Sequence, residues 1–308
     1  MNDPQPQYHV ARGAELAFSR ASGAAEANSS GLSRAVLVNR AAGAVHTGLA
    51  IARIQPGGHV GMHLHSTEQS FYVLEGHPTL VSGGHSYLLS ADECGLLPVG
   101  VAHGYRNTGD QPALFLEANS PVPRTSGPAD TFWTGEALPD TPAQAPDIRD
   151  PRTRTLFRLG PGQMDVDNLK LGAAADAPTV SASMATALLA YSGIAVKMLV
   201  DQRLGAVLHS LFMVEYQPGG SALPHDHPLE ESYYILEGEV VATANDDEFT
   251  LRKGDVFWTG VGCIHSFYNR SEQRVRWLET QAPQLPSNHS YRFNRDWDYL
   301  AERIGGSA

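Results

Sequence analysis

Cysteine is scarce: the 308 residues contain two, Cys94 and Cys263. Two thiols cannot make a disulfide framework or a multi-thiolate zinc site, so both are excluded as the source of stability. Long apolar runs are missing as well. No stretch approaches the ~18 residues of a spanning helix, and the run around Ala187 to Leu189 is short and broken at Gly193. The segment from Met1 to Val10 is polar and proline-bearing, with no basic stretch followed by an apolar one. The expectation is a cytoplasmic protein that makes no use of a membrane. Basic charge is also in deficit, with 22 Lys and Arg against 33 Asp and Glu and a net charge of -11. Nucleic acid and anionic membrane surfaces reward the opposite balance and are excluded as main partners. No Gly-X-Ser-X-Gly elbow occurs. Pro218-Gly219-Gly220 reads as a hairpin turn, not a phosphate cradle.

What remains is an ordinary globular composition, 42% hydrophobic and 18% charged, with an unusual 13 histidines. A length near twice ~150 residues predicts about two domains, and a repeat locates them. Residues 55–76 read QPGGHVGMHLHSTEQSFYVLEG and residues 217–238 read QPGGSALPHDHPLEESYYILEG, identical at 12 of 22 positions at an offset of 162. The same offset carries His103 onto His265, Asn107 onto Asn269 and Glu117 onto Glu279 without a gap. The chain is two copies of one unit. From Pro121 to Arg154 lie seven prolines, which resist helix and sheet interior and predict a surface connector. A short helical turn is expected near Phe132 and Trp133. The units are placed at 1–150, with an N-terminal arm and the connector, and 151–308, with a C-terminal tail. Met164 to Tyr191 reads as loop plus a short helix, and 292–304 as a tail with a helical turn packing back on the second unit.

Each unit has the texture of strands: short runs of Val, Ile, Tyr and Phe between turn signals such as Asn245-Asp246-Asp247 and Lys253-Gly254. In the second copy the runs are 194–200, 207–217, 231–236, 240–244, 248–251, 255–259, 265–269 and 275–279. About eight strands per copy predict an antiparallel barrel or jelly roll. The fold class is all-β, two tandem barrels with few short helices.

His225 and His227 are two apart, which on a strand puts both on one face. Glu231 keeps that parity if the chain stays extended, and His265 opens a later run. Three imidazoles and a carboxylate converging in a barrel make a mixed N/O site suited to Fe, Mn, Ni, Co or Zn. Two positions of an octahedron would stay open to substrate or dioxygen.

Gly219, five residues, His225-X-His227, three residues, Glu231, six residues, Gly238 resembles the first motif of the cupin superfamily. Gly254, five residues, Gly260-X-Gly262, two residues, His265, three residues, Asn269 resembles the second, with Gly260 in place of the usual proline. The resemblance covers about 50 residues of each copy and implies a bicupin. It also implies that His225, His227, Glu231 and His265 bind a divalent metal, with Fe or Mn foremost. The first copy keeps His63, His65 and His103 but has Gln69 where the carboxylate belongs, and Asp92 at the motif's glycine. Loss of the anionic ligand lowers metal affinity and makes a bound ion more electrophilic, although a Gln carbonyl still ligates. Glu68, one residue off, points away if the strand is regular. The sequence leaves open whether the first barrel is a second site or a scaffold.

Parity places Tyr233, Ile235 and Phe267 inside the second barrel and Phe71, Val73 and Tyr105 inside the first. Such a lining suits a small organic molecule. Tyr233 is the candidate proton donor or substrate anchor. Cys263 reads as a buried thiol, Glu117 and Glu279 as scaffold, and Arg274 and Arg276 as candidates for a carboxylate or plain surface. The resemblance implies dioxygenase, decarboxylase or aminohydrolase relatives. The reading is a metal-dependent dioxygenase of a small aromatic or keto-acid substrate. The alternatives are a non-oxidative metalloenzyme (decarboxylase, isomerase or aminohydrolase) and a ligand-binding bicupin without turnover. A homodimer follows by analogy with the fold.

Overall fold

Strands make up nearly all the regular structure of the computed structural model, which describes residues 6–124, 130–147, 150, 153, 155–160, 162–165 and 192–284. The only α-helix among them is Ala24–Ala27. The expected helix within 164–191 and the tail at 292–304 lie largely or wholly outside the described residues.

The second copy folds as two sheets. One runs in the order Tyr8–Ala11, Val256–Thr259, Glu230–Glu237, Val275–Ala282, Ser210–Tyr216, Ile194–Val200. The other runs Ser221–His225, His265–Tyr268, Glu239–Ala244, Asp247–Arg252. In the first copy an 18-residue strand, Gly48–His65, joins the equivalent sheets into one. It contains Gly57 at φ 72°, a left-handed conformation that glycine adopts without a Cβ penalty. Asp92, at the motif's glycine, holds φ 70°, and its carboxylate accepts a hydrogen bond from the Tyr72 hydroxyl at 2.8 Å.

Three apolar cores result. Phe71, Val73, Tyr105 and Phe115 fill the first barrel, and Tyr233, Ile235, Phe267 and Trp277 fill the second. The third lies between the barrels, where Tyr72, Leu96 and Leu116 meet Leu211, Met213 and Trp258. Along Ser210–Tyr216 successive side chains go alternately to the barrel interior and to this junction, so all seven residues are buried. Burial on both faces removes the apolar–polar alternation that marks a half-exposed strand.

Strand pairing crosses the proposed 1–150 and 151–308 units in both directions. Tyr8–Ala11 adds to the second barrel beside Val256–Thr259. Leu156–Phe157 adds to the first beside Cys94–Gly95. The connector also departs from expectation. Thr131–Trp133 is not a helical turn but a strand, paired with His63–His65. Its three β-favouring residues contain no proline and complete the edge of a long strand. Ser221–His225, which no alternation announces, is likewise a strand.

Candidate metal centres

Both histidine clusters are built by the same local device. The ladder between Gly48–His65 and His103–Arg106 slips between Val60 and His63, which sets His63 directly opposite His103. The ladder between Ser221–His225 and His265–Tyr268 slips between Ala222 and His225 and sets His225 opposite His265. A bulge of this kind re-aims a side chain. Pro224 sits inside the second one, where a missing N–H costs no ladder bond. His65 and His227 then complete two triads whose ligand nitrogens lie within 4.8 Å of one another.

The rings are held in one orientation. His63, His103, His225 and His265 each place Nδ1 on the carbonyl two residues earlier, at 2.7, 3.0, 2.7 and 2.9 Å. A carbonyl only accepts, so Nδ1 carries the proton and Nε2 keeps its lone pair. This is the outer hydrogen bond that metal-binding imidazoles use. His65 makes the corresponding contact to the Thr131 hydroxyl at 3.1 Å. Burial, with the neighbouring imidazoles, pushes His63 down to about 2 and His225 down to about 3. Burial with His103 holds His65 at about 3. These imidazoles are therefore neutral at physiological pH, the state a cation requires. Nε2 of His65 and of His103 is buried without a hydrogen-bond partner among the described residues. Such atoms are costly to bury unpaired, and a divalent ion would satisfy both. The residues present therefore fit a metal.

In the second barrel the chain turns at Pro228 and Leu229 and does not stay extended, yet Glu231 still reaches the cluster. Its Oε2 lies 2.7 Å from His227 Nε2 and 3.3 Å from His265 Nε2. Its Oε1 accepts from Gln281 Nε2 at 2.5 Å. Burial opposes its charge, but His227 and His265 outweigh burial and hold the carboxyl well below its usual range. Burial likewise works against charge on His227, and Glu231 reverses it, so His227 is raised. Tyr233 donates its hydroxyl to Glu231 and lies 3.0 Å from His265 Nε2. Burial and the two carboxylates Glu231 and Glu279 push the phenol well up, so it stays protonated.

Gln69 is buried opposite Asn119 and Leu97, the register in which Glu231 stands opposite Gln281 and Thr259. It faces the first triad's barrel without supplying charge. Several polar residues around these sites escape sequence reasoning. Arg34 forms a paired ion bridge with Glu117, at 2.8 and 3.1 Å. The Trp133 ring lies 4.9 Å from that of His63. Cys263 is buried and contributes its carbonyl to His265, not its sulfur to the cluster. Arg276 is bonded to Glu215 and Arg274 lies near Glu215 and Glu237, so both have carboxylate partners within the chain.

Fold and donor set together define a duplicated β-barrel protein with one histidine cluster per barrel. Residues 50–119 and 212–280 each match the cupin domain family, and the chain is a bicupin. Among curated proteins it is 29% identical over 90 residues to the tetracenomycin polyketide synthase protein TcmJ of Streptomyces glaucescens, a match covering 29% of this chain and 60% of that one. Among solved structures it resembles salicylate 1,2-dioxygenase from Pseudoaminobacter salicylatoxidans, seen with gentisate, at a TM-score of 0.67 and 16% identity over 90% of this chain and 81% of that one. It also resembles oxalate decarboxylase of Bacillus subtilis at a TM-score of 0.61 and 13% identity, over 97% and 84% of the two chains. At these identities the structural likeness speaks to the fold.

Proposed function

We propose that the chain is a metal-dependent enzyme, a dioxygenase acting on a small aromatic or keto-acid substrate at the second barrel. The observation that carries this reading is the Glu231 carboxylate lying on His227 and His265 with the Tyr233 hydroxyl bonded beside it. A divalent ion held there, Fe(II) or Mn(II) first, supplies Lewis acidity and, for iron, one-electron chemistry toward dioxygen. Glu231 offsets one unit of its charge, and His225, His227 and His265 present ring nitrogens toward one point. Tyr233, held protonated, acts as a donor and not as a base: its O–H rests on Glu231 and turns from there to a substrate oxygen that enters beside it. Phe257, Phe267 and Ile235 make the interior of this barrel apolar, surroundings that favour an apolar substrate. The likeness to a dioxygenase seen with gentisate supports testing aromatic acids first.

The test is metal content after purification without chelator, followed by oxygen uptake over a panel of aromatic and keto acids. Oxygen consumption with product is expected. Product without oxygen uptake assigns a decarboxylase, isomerase or aminohydrolase instead. Stoichiometric binding without product assigns a ligand-binding module.

A further inference from the structure

The N-terminal strand Tyr8–Ala11 does more than extend a sheet of the second barrel. Its first side chain plugs the side of that barrel. Tyr8 stands opposite Thr259 in the ladder, lays its ring 5.4 Å from that of Phe249 and donates its hydroxyl to Asp247. Gln7 fixes the strand from the preceding position. Its carbonyl accepts the Gly260 amide at 2.8 Å, and its side chain accepts from Asn245 Nδ2 at 2.9 Å.

The first barrel has the same frame and an open space in it. At the repeat offset, Asp247, Phe249, Thr259 and Gly260 correspond to His85, Tyr87, Leu97 and Pro98. The registers agree: Ser82 pairs with His85 as Ala244 pairs with Asp247, and Gln69 faces Leu97 as Glu231 faces Thr259. Leu156–Phe157 takes the place of Val10–Ala11, opposite Gly95 and Cys94. Its ladder continues for one more bond, from the Leu96 amide to the Thr155 carbonyl at 3.1 Å. The next donor on that edge belongs to residue 98, and a proline has none. Counting back as from Val10 to Tyr8, the sequence before Leu156 has Arg154 and not an aromatic. Where Tyr8 lies in the second barrel, the first has a cavity of about 360 Å³. That is within the about 300–1,000 Å³ of small-molecule sites. Leu80, Leu97, Val101 and Leu156 make its wall apolar, Tyr87 adds a ring, and the exposed His85 stands at its rim.

We propose that this lateral cavity of the first barrel binds a small phenol, with its ring where the second barrel has the Tyr8 ring and its hydroxyl on the His85 imidazole. An imidazole nitrogen accepts an O–H as the Asp247 carboxylate does. A peptide strand is disfavoured as the occupant, because Pro98 withholds the amide that Gly260 gives to Gln7. The triad histidines are not part of the cavity wall. Val101 is, and its carbonyl holds Nδ1 of His103 at 3.0 Å, so an occupant lies behind the first triad and not on its ion-facing nitrogens. The site stands apart from the reaction proposed for the second barrel and does not depend on it.

The probe is p-cresol, the free side chain of tyrosine, titrated into the full chain and followed by ligand-observed NMR and calorimetry. Toluene, the same molecule without its hydroxyl, is the control. Wild type is expected to bind p-cresol, with about tenfold weaker binding after His85→Ala and a similar deficit for toluene. Thr155→Trp, which puts an indole on the cavity wall, should abolish this binding. Tyr8→Ala should add one further equivalent of p-cresol by vacating the matching space in the second barrel. No binding to wild type overturns the proposal, as does toluene bound as tightly as p-cresol. Binding that His85→Ala and Thr155→Trp both leave unchanged lies elsewhere in the chain, the second barrel's interior included. That result overturns the cavity assignment and leaves the proposed reaction standing. If Thr155→Trp fails to fold, the exposed His85→Ala decides alone, and unchanged p-cresol affinity in it overturns the proposal.

Discussion

Glu231 has His227, His265, Tyr233 and Gln281 around its two oxygens, and removing it should act on metal before anything else. Glu231→Ala is expected to lower metal affinity of the second barrel by more than the about 10- to 100-fold that losing an outer partner costs. Elemental analysis of the dialysed variant should show that site emptied, and metal retained at the wild-type level would refute the ligand assignment. Tyr233→Phe should instead keep its metal and lose about 100-fold in kcat, the effect of removing a positioned proton donor. A fall in metal content would mean that the phenol only braces Glu231. The clustered histidines were legible in the sequence because their residue type and spacing survive the duplication. Tyr233 was legible through strand parity. Arg34, Thr131 and Gln281 were not, because each reaches its partner from another strand, and the register between strands is not written in either one.

At the scale of elements, the bulges before His63 and His225 and the connector strand Thr131–Trp133 set the clustered histidines. The jelly-roll class followed from strand density and turn residues, but these devices were hidden. Seven prolines made the connector read as a surface segment with a helical turn near Phe132 and Trp133, and SALPH lacks the alternation of a strand. Arg106 ties the connector down through the carbonyls of Leu138 and Pro139, at 2.5 and 2.7 Å. Thr131 then holds Nδ1 of His65. Thr131→Val keeps the β-branched shape and removes the hydroxyl. First-barrel metal affinity is expected to fall by about 10-fold or more while the second barrel is unchanged. Competition against a chromogenic chelator measures both sites, and equal loss at the two would show a general fold defect.

At the scale of the molecule, the duplication makes a reciprocal clasp. Glu68, which regular alternation turned away from the first triad, accepts the amides of Val207, Leu208 and His209 from the other copy, at 2.8, 3.1 and 3.2 Å. Its repeat equivalent Glu230 accepts those of Val45, His46 and Thr47, at 2.9, 2.9 and 3.0 Å. The copies differ in one respect: His209, at the place of Thr47, sets Nδ1 2.9 Å from Glu68 and Nε2 2.6 Å from the Ser70 hydroxyl. Burial alone would raise Glu68, but His209 and the backbone amides of Val207 and Leu208 hold it below its ordinary 4.5. A carboxyl depressed on folding adds stability that is complete above its unfolded value and is lost as pH falls through its folded one. Urea midpoints should therefore be flat in this contribution above about pH 4.5 and decline below it. Glu68→Gln removes the charge while keeping the shape, and should cost about 2–3 kcal/mol at pH 7. The same variant should show a shallower decline between pH 4.5 and pH 3 than wild type. Parallel curves for the two proteins across that window would show that the acid sensitivity of the barrel junction lies elsewhere.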